Sequence, residues 1–174
     1  WDFCLRSKRE RARRLLREQA PYFLIGSPMC KHFCTWQALN EAKSSDPDAM
    51  RRAKAQARLH LAFVAQLYRD QLDAGRYVLH EHPEWATSWQ EDVIKRLVDT
   101  EGMIRVRADQ CQYGAEVARG MHKGRPIKKP SGFLTNSTQV AARLTRRCEG
   151  RGGVCSRPQG GVHKTCEGAI ARDA

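Results

Sequence analysis

Pro21-Tyr22-Phe23-Leu24-Ile25-Gly26-Ser27-Pro28-Met29-Cys30, residues 21–30, is a short apolar run with a proline before it and a glycine after it. Pro21 stops whatever helix precedes it, and Tyr22 to Ile25 reads as a buried strand that Gly26 ends. Upstream, Ser7-Lys8-Arg9-Glu10 has the Ser-x-x-Glu form of a helix start, and Ala12, Leu15 and Leu16 share one face, so a helix is expected from about Lys8 to Gln19. Downstream, Asp46-Pro47 opens a long amphipathic helix carrying Ala57, Leu61, Val64, Tyr68 and Leu72, and Gly75 closes it.

The same alternation continues to about residue 144. Arg76 to His80 reads as a second strand, and Ser88-Trp89-Gln90-Glu91 starts a helix through Val93, Ile94, Leu97 and Val98. Met103 to Val106 and Gly132 to Thr135 are further strands, separated by a basic loop rich in Gly and Lys, and Asn136 with Gln139 opens a last helix. Strands alternating with helices imply parallel neighbours and right-handed crossovers, hence an α/β fold with a three-layer, mostly parallel sheet. That domain is expected over residues 1–147, with residues 148–174 as a Gly/Cys-rich, loosely ordered tail.

The 174 residues carry 31 Lys plus Arg against 19 Asp plus Glu, a formal charge of +12 that draws polyanions to the surface and makes nucleic acid the expected partner. Seven cysteines, an odd number without dense regular spacing, read as reduced thiols and give an intracellular expectation, with the nucleus open to a nucleic-acid binder. No apolar run approaches the roughly 20 residues of a membrane-spanning helix, so no membrane partner is expected. The start at Trp1-Asp2-Phe3, with no Met, suggests a segment of something longer.

In an open parallel sheet, ligands meet the carboxyl ends of the strands. Three unusual loops fall there: Gly26-Ser27-Pro28-Met29-Cys30-Lys31-His32-Phe33, then Glu81-His82-Pro83-Glu84, then Ala108-Asp109-Gln110-Cys111-Gln112-Tyr113-Gly114. A strand followed by Gly-Ser-Pro-x-Cys-x-x-Phe resembles the cysteine loop of cytosine-5 DNA methyltransferases. That family places a Glu-Asn-Val sequence one strand later, where this chain has Glu81-His82-Pro83. Tyr113-Gly114 followed by Arg125-Pro126-Ile127-Lys128-Lys129-Pro130 is similar to a further segment of the family, more loosely.

The resemblance implies an incomplete Rossmann-like methyltransferase fold, the catalytic half of a cytosine-5 enzyme. Cys30 would be the thiolate that adds to the cytosine ring, and Glu81 would hydrogen-bond or protonate the ring nitrogen. Arg125, Lys128 and Lys129 would hold backbone phosphates while the base leaves the stack, with DNA ahead of RNA as the substrate. The methyl donor would be S-adenosylmethionine. No Gly-x-Gly turn follows a strand before Pro21, so the cofactor half is missing; a partner chain or upstream segment would have to complete the sheet, and no turnover is expected in isolation.

Other side chains have duller readings. His80 and His82 read as polar structural residues, Trp36, Trp85 and Trp89 as packing residues able to stack on a base. Cys148, Cys155, His163 and Cys166 carry metal-binding atoms, but their intervals lack a Cys-x-x-Cys pair, and no metal is expected. The combination of loops also resembles segments of retroelement-type polyproteins of protists. That supplies a different reading, a non-enzymatic nucleic-acid-binding module. Cys30, Cys34 and Cys111 would serve a redox or metal-responsive domain in a third.

Overall fold

The computed structural model describes residues 2–34, 37 and 45–164. Its elements run α1 (Arg6–Gln19), β1 (Phe23–Gly26), α2 (Pro47–Asp73), β2 (Tyr77–Pro83), α3 (Asp92–Val98), β3 (Ile104–Asp109), β4 (Pro130–Thr135) and α4 (Thr138–Arg143). The fold is mixed α/β. Short 3-10 turns follow three of the strands, at Lys31–Phe33, Thr87–Gln90 and Gln110–Tyr113. Among the described residues, no helix is long and apolar enough to cross a membrane.

The expectation of a mostly parallel sheet is corrected. The order is β1-β2-β4-β3; β1 pairs parallel with β2, while β2–β4 and β3–β4 are antiparallel. The reason lies in the connections. A parallel pair needs a long crossover, which α2 supplies between β1 and β2. No helix lies between β3 and β4, so β4 returns beside β3 in the opposite sense and fills the place between β2 and β3. The three strands β1, β2 and β3 therefore point one way, and their carboxyl ends share one edge with the start of β4.

Helix starts differ locally from their sequence signals. Asp46 caps α2 as expected, its Oδ1 accepting from the Ala49 amide at 2.8 Å with Pro47 in the first turn. Ser7 lies inside α1, whose cap position is Leu5 without a side-chain bond. Ser88 to Gln90 fall in the Thr87–Gln90 3-10 turn, and α3 begins only at Asp92. Ser137 rather than Asn136 caps α4. Asn136 instead accepts from the Val78 amide at 2.9 Å and donates to Arg76 O at 3.0 Å, fixing β4 to β2.

The main core gathers Leu61, Val64, Ala65 and Tyr68 of α2, Val78 of β2, Trp89, Ile94 and Leu97 of the α3 region, Leu134 of β4, and Phe33. Each large apolar side chain buried here contributes roughly 1.5–3 kcal/mol over an exposed one. The alternating buried residues of β2, namely Val78, His80 and His82, face this core, so Leu79 and Glu81 face the other way. Gly132 in β4 is required by packing. A Cβ there would lie 2.7 Å from Trp89 Cζ2. The Trp89 indole N–H donates to Pro83 O at 2.9 Å, and Arg105 lies over its ring at 4.1 Å.

A second, smaller cluster of buried residues consists of Cys111, Cys148 and Cys155 alone. Around it the glycine-rich segment, which has no periodicity in sequence, makes ordered backbone bonds as far as Lys164. The Cys155 amide donates to Gly161 O at 2.8 Å, the His163 amide to Gly153 O at 2.7 Å, and the Lys164 amide to Pro126 O at 2.9 Å. Gly152, Gly153, Gly160 and Gly161 all have positive φ, which a side chain at these turns would strain.

Candidate metal centre, strand-end carboxylate and basic hairpin

Cys111 sits in the 3-10 turn directly after β3, while Cys148, Cys155 and His163 come from the segment after α4. One donor atom from each of the four lies within 4.8 Å of the others. Cys148 Sγ is 3.8 Å from Cys155 Sγ and 3.4 Å from His163 Nε2. The three thiols are buried and none forms a disulfide.

These donors are soft and convergent, the set that holds zinc or a similar ion. The expectation of no metal is therefore corrected: this cluster has the atoms and the spacing to bind one. Three of its members, Cys148, Cys155 and His163, are recognisable in the sequence as carriers of metal-binding atoms. Cys166, grouped with them there, lies outside the described residues, and Cys111 stands in the fourth position. Sequence intervals could not reveal this because the fourth ligand belongs to another element. The available signal was that Asp109-Gln110-Cys111 follows a strand end.

The surroundings tune the thiols unequally. Burial, with hydrogen bonds to Cys155 and Cys148 that favour the protonated thiol, pushes Cys111 up to about 12. Burial also pushes Cys148 up, but the backbone amides of Ser156 and Gly150 and the Ser156 hydroxyl outweigh it and bring the thiol down to about 6. Gln112 Nε2 lies 3.5 Å from Cys155 Sγ, adding a donor to a second sulfur. Gly150 is needed for this wrap, since a Cβ would meet Val154 O at 1.8 Å.

Glu81 lies in β2, two residues before its carboxyl end at Pro83. Its Oε2 accepts from Ser27 Oγ at 2.6 Å and its Oε1 from Ser131 Oγ at 2.8 Å, with Lys129 Nζ 3.3 Å away. Burial pushes the carboxyl up, yet the Ser27 bond, the Lys129 charge and the Ser131 bond together hold it below its ordinary value. Lys129, expected to hold phosphate, is thus placed in an ion pair with Glu81. Cys30 is half-buried at the start of the Lys31–Phe33 turn, and among the described residues no hydrogen bond links its thiol to Glu81. Ser27 of the Cys30 loop touches Glu81 of β2, but the thiol and the carboxylate are not paired.

His80 and His82 are buried in the core and structural. His80 Nδ1 meets Tyr68 Oη at 3.2 Å, and His82 bridges Ser88 Oγ and Pro28 O. Trp89 is buried and Trp85 is 65% exposed, so of these two only Trp85 is free to stack on a ligand. Trp36 lies outside the described residues.

Between β3 and β4 the chain folds back on itself. The Ile127 amide donates to Ala115 O at 2.9 Å, the Val117 amide to Arg125 O at 3.0 Å and the Gly124 amide to Val117 O at 2.9 Å, closing residues 115–127 into a hairpin. Arg119, Lys123 and Arg125 are exposed on it, and Met121 at its tip is 95% exposed. From Gly114 to Lys164 the acids are Glu116 and Glu149. Glu116 is taken up by Arg157, whose Nη1 is 2.5 Å from its Oε1 and whose Nη2 donates to Gly124 O at 3.1 Å. Lys164, with some burial and Arg125, holds the His122 imidazole below its ordinary range, a local sign of positive potential. Lys128 is exposed between the hairpin and β4, its Nζ 3.5 Å from Cys148 O.

No protein-family model, curated protein or solved structure matches the chain. The resemblance to cytosine-5 methyltransferases therefore rests on the quoted residues alone, and S-adenosylmethionine finds no support.

Proposed function

We propose that the chain is a nucleic-acid-binding module that presents the 115–127 hairpin to duplex DNA. The observation that carries this reading is the hairpin itself: Arg119, Lys123 and Arg125 are exposed on a loop that a single antiparallel bridge, Glu116 to Pro126, closes, and its one acid, Glu116, is neutralised by Arg157. A hairpin of this kind suits the major groove of B-DNA, about 12 Å wide, better than the narrow major groove of A-form RNA. The exposed cations would neutralise phosphates, and Trp85 offers an aromatic face for an unstacked base.

The test is fluorescence anisotropy of the full chain with labelled duplex DNA across a salt series, with an RNA duplex as comparator. Affinity should fall linearly in log–log form, and Arg119→Ala, Lys123→Ala and Arg125→Ala combined should weaken binding and flatten the slope by about 0.9 for each phosphate no longer neutralised. Absence of binding at low salt, or a slope that the triple variant leaves unchanged, would sink this reading.

A second reading is favoured by the Ser27–Glu81 bond, which brings the Cys30 loop onto β2 at Glu81. It takes the sheet as the carboxy-terminal part of a Rossmann-like fold, and Cys30 as a thiol that adds to a pyrimidine ring while Glu81 contacts the ring nitrogen. Trapping of the chain by a ring-activated cytosine analogue, lost in Cys30→Ser, would support it; no adduct with the unaltered chain would remove it.

A further inference from the structure

We infer that Cys111, Cys148, Cys155 and His163 bind one Zn²⁺ as a closed structural site, and that this ion fastens the basic hairpin to the sheet. Zinc bonds of about 2.3 Å to sulfur and about 2.0 Å to nitrogen, arranged tetrahedrally, set sulfur–sulfur edges of ~3.8 Å and sulfur–nitrogen edges of ~3.5 Å. The observed separations are 3.8 Å for Cys148–Cys155 and 3.4 Å for Cys148–His163. Three thiolates and an imidazole select zinc over the hard cations, which prefer oxygen. All four tetrahedral positions come from the chain, and the three sulfurs are buried, so no position is left for water or substrate.

The same ion has a folding task. No regular helix or strand lies between Cys148 and Lys164, and the buried cluster there consists of three cysteines, separate from the main core. Such a segment buries too little apolar surface to offset its conformational entropy, and coordination supplies what burial does not. The hairpin leans on this segment through Lys164 N–H to Pro126 O, through Arg157 to Glu116 and Gly124 O, and through Gly161 against Pro126. On binding, Zn²⁺ takes the place of the thiol protons, which pass to the buffer. The inference does not rest on the nucleic-acid reading, since metal is measured with no nucleic acid present.

The test uses the full chain purified under reducing conditions. Elemental analysis should find about one zinc per chain, and titration of the stripped chain with Co²⁺ should give the absorption of a tetrahedral thiolate site. Cys155→Ala should lower zinc affinity by more than roughly a hundredfold, whereas Cys30→Ala and Cys34→Ala should leave it unchanged. His163→Cys guards against a folding artefact: it should keep the zinc and add sulfur-to-cobalt charge-transfer intensity. Hydrogen exchange should speed up at 111–127 and 148–164 on chelation, while α2 and β2 stay protected. Substoichiometric zinc, a six-coordinate cobalt spectrum, an unchanged spectrum in His163→Cys, or hairpin exchange indifferent to chelation would overturn the inference.

Discussion

The carboxylate of Asp109 accepts the amide N–H of Cys148 at 2.7 Å. This bond joins the last residue of β3 to the first cysteine after α4. It is reinforced from both directions: the Asp109 amide donates to Arg146 O at 3.0 Å, and Arg147 Nε lies 3.2 Å from Asp109 Oδ2. Arg147 also reaches Glu84 Oε2 at 3.1 Å, and Arg107 pairs with Glu84 Oε1 at 3.2 Å. Two carboxylates whose side chains are each 2% exposed are thus held by arginines at the junction of sheet and cysteine cluster.

Removing Arg147 would leave Glu84 with Arg107 alone and Asp109 with the Cys148 amide in place of an ion pair. Breaking a buried pair from one side costs about 3–5 kcal/mol when the partner stays charged; partial exposure of Arg147 places the expectation at the lower end. Chemical denaturation of Arg147→Ala should show a lower midpoint with an unchanged slope. A loss well under about 1 kcal/mol, the range of an exposed pair, would mean that the network is not structural.

Gly132→Ala tests the contact between β4 and Trp89. The new methyl must displace a buried indole that is hydrogen-bonded to Pro83 O and covered by Arg105, so about 1–3 kcal/mol of stability should be lost. Thermal unfolding read by tryptophan fluorescence measures it, and a neutral result would mean that the ring moves aside freely.

Acid should weaken the fold before the carboxylates titrate. Burial, with His82 nearby, lowers the His80 pKa to about 3, and burial lowers His82 as well. The unfolded chain binds those protons first, near the ordinary histidine pKa of about 6.5, so stability falls as pH drops through that value. For His80 the loss continues down to about 3, with a slope of up to about 1.4 kcal/mol per pH unit. His80→Phe should be less stable at neutral pH, having left Tyr68 Oη without its partner, yet show a flatter pH profile below 6. Equal profiles would exclude His80 as the source.

Lys129 and its neighbours should separate in binding assays. Arg125→Ala and Lys128→Ala should each weaken duplex binding and reduce the salt slope by about 1. Lys129→Ala should change the slope little and instead raise the Glu81 carboxyl towards its ordinary value, because the Lys129 charge is one of the interactions that lower it. Titration of the Glu81 carboxyl by NMR distinguishes the two roles.

Local chemistry was legible in the chain wherever one short segment decided it. A strand after Pro21, found at Phe23–Gly26, the Asp46-Pro47 start of α2 and the apolar face from Ala57 to Leu72 follow from spacing and from the limits on proline and glycine, but β1 is an edge strand with Tyr22 and Ile25 exposed, against the expectation of a buried strand. Excess positive charge gave the nucleic-acid expectation for the same reason, since charge is additive along a chain. What the tertiary structure decided are relationships between distant segments. The reversal of β4 depends on a connection that forms a hairpin instead of a crossover helix. The ion pair of Lys129 with Glu81 depends on β4 lying beside β2. The fourth donor, Cys111, meets Cys148, Cys155 and His163 across segments that Asp109, two residues earlier, ties together by holding the Cys148 amide. Periodicity reports which face a residue occupies, and it carries no information about which other segment will meet that face.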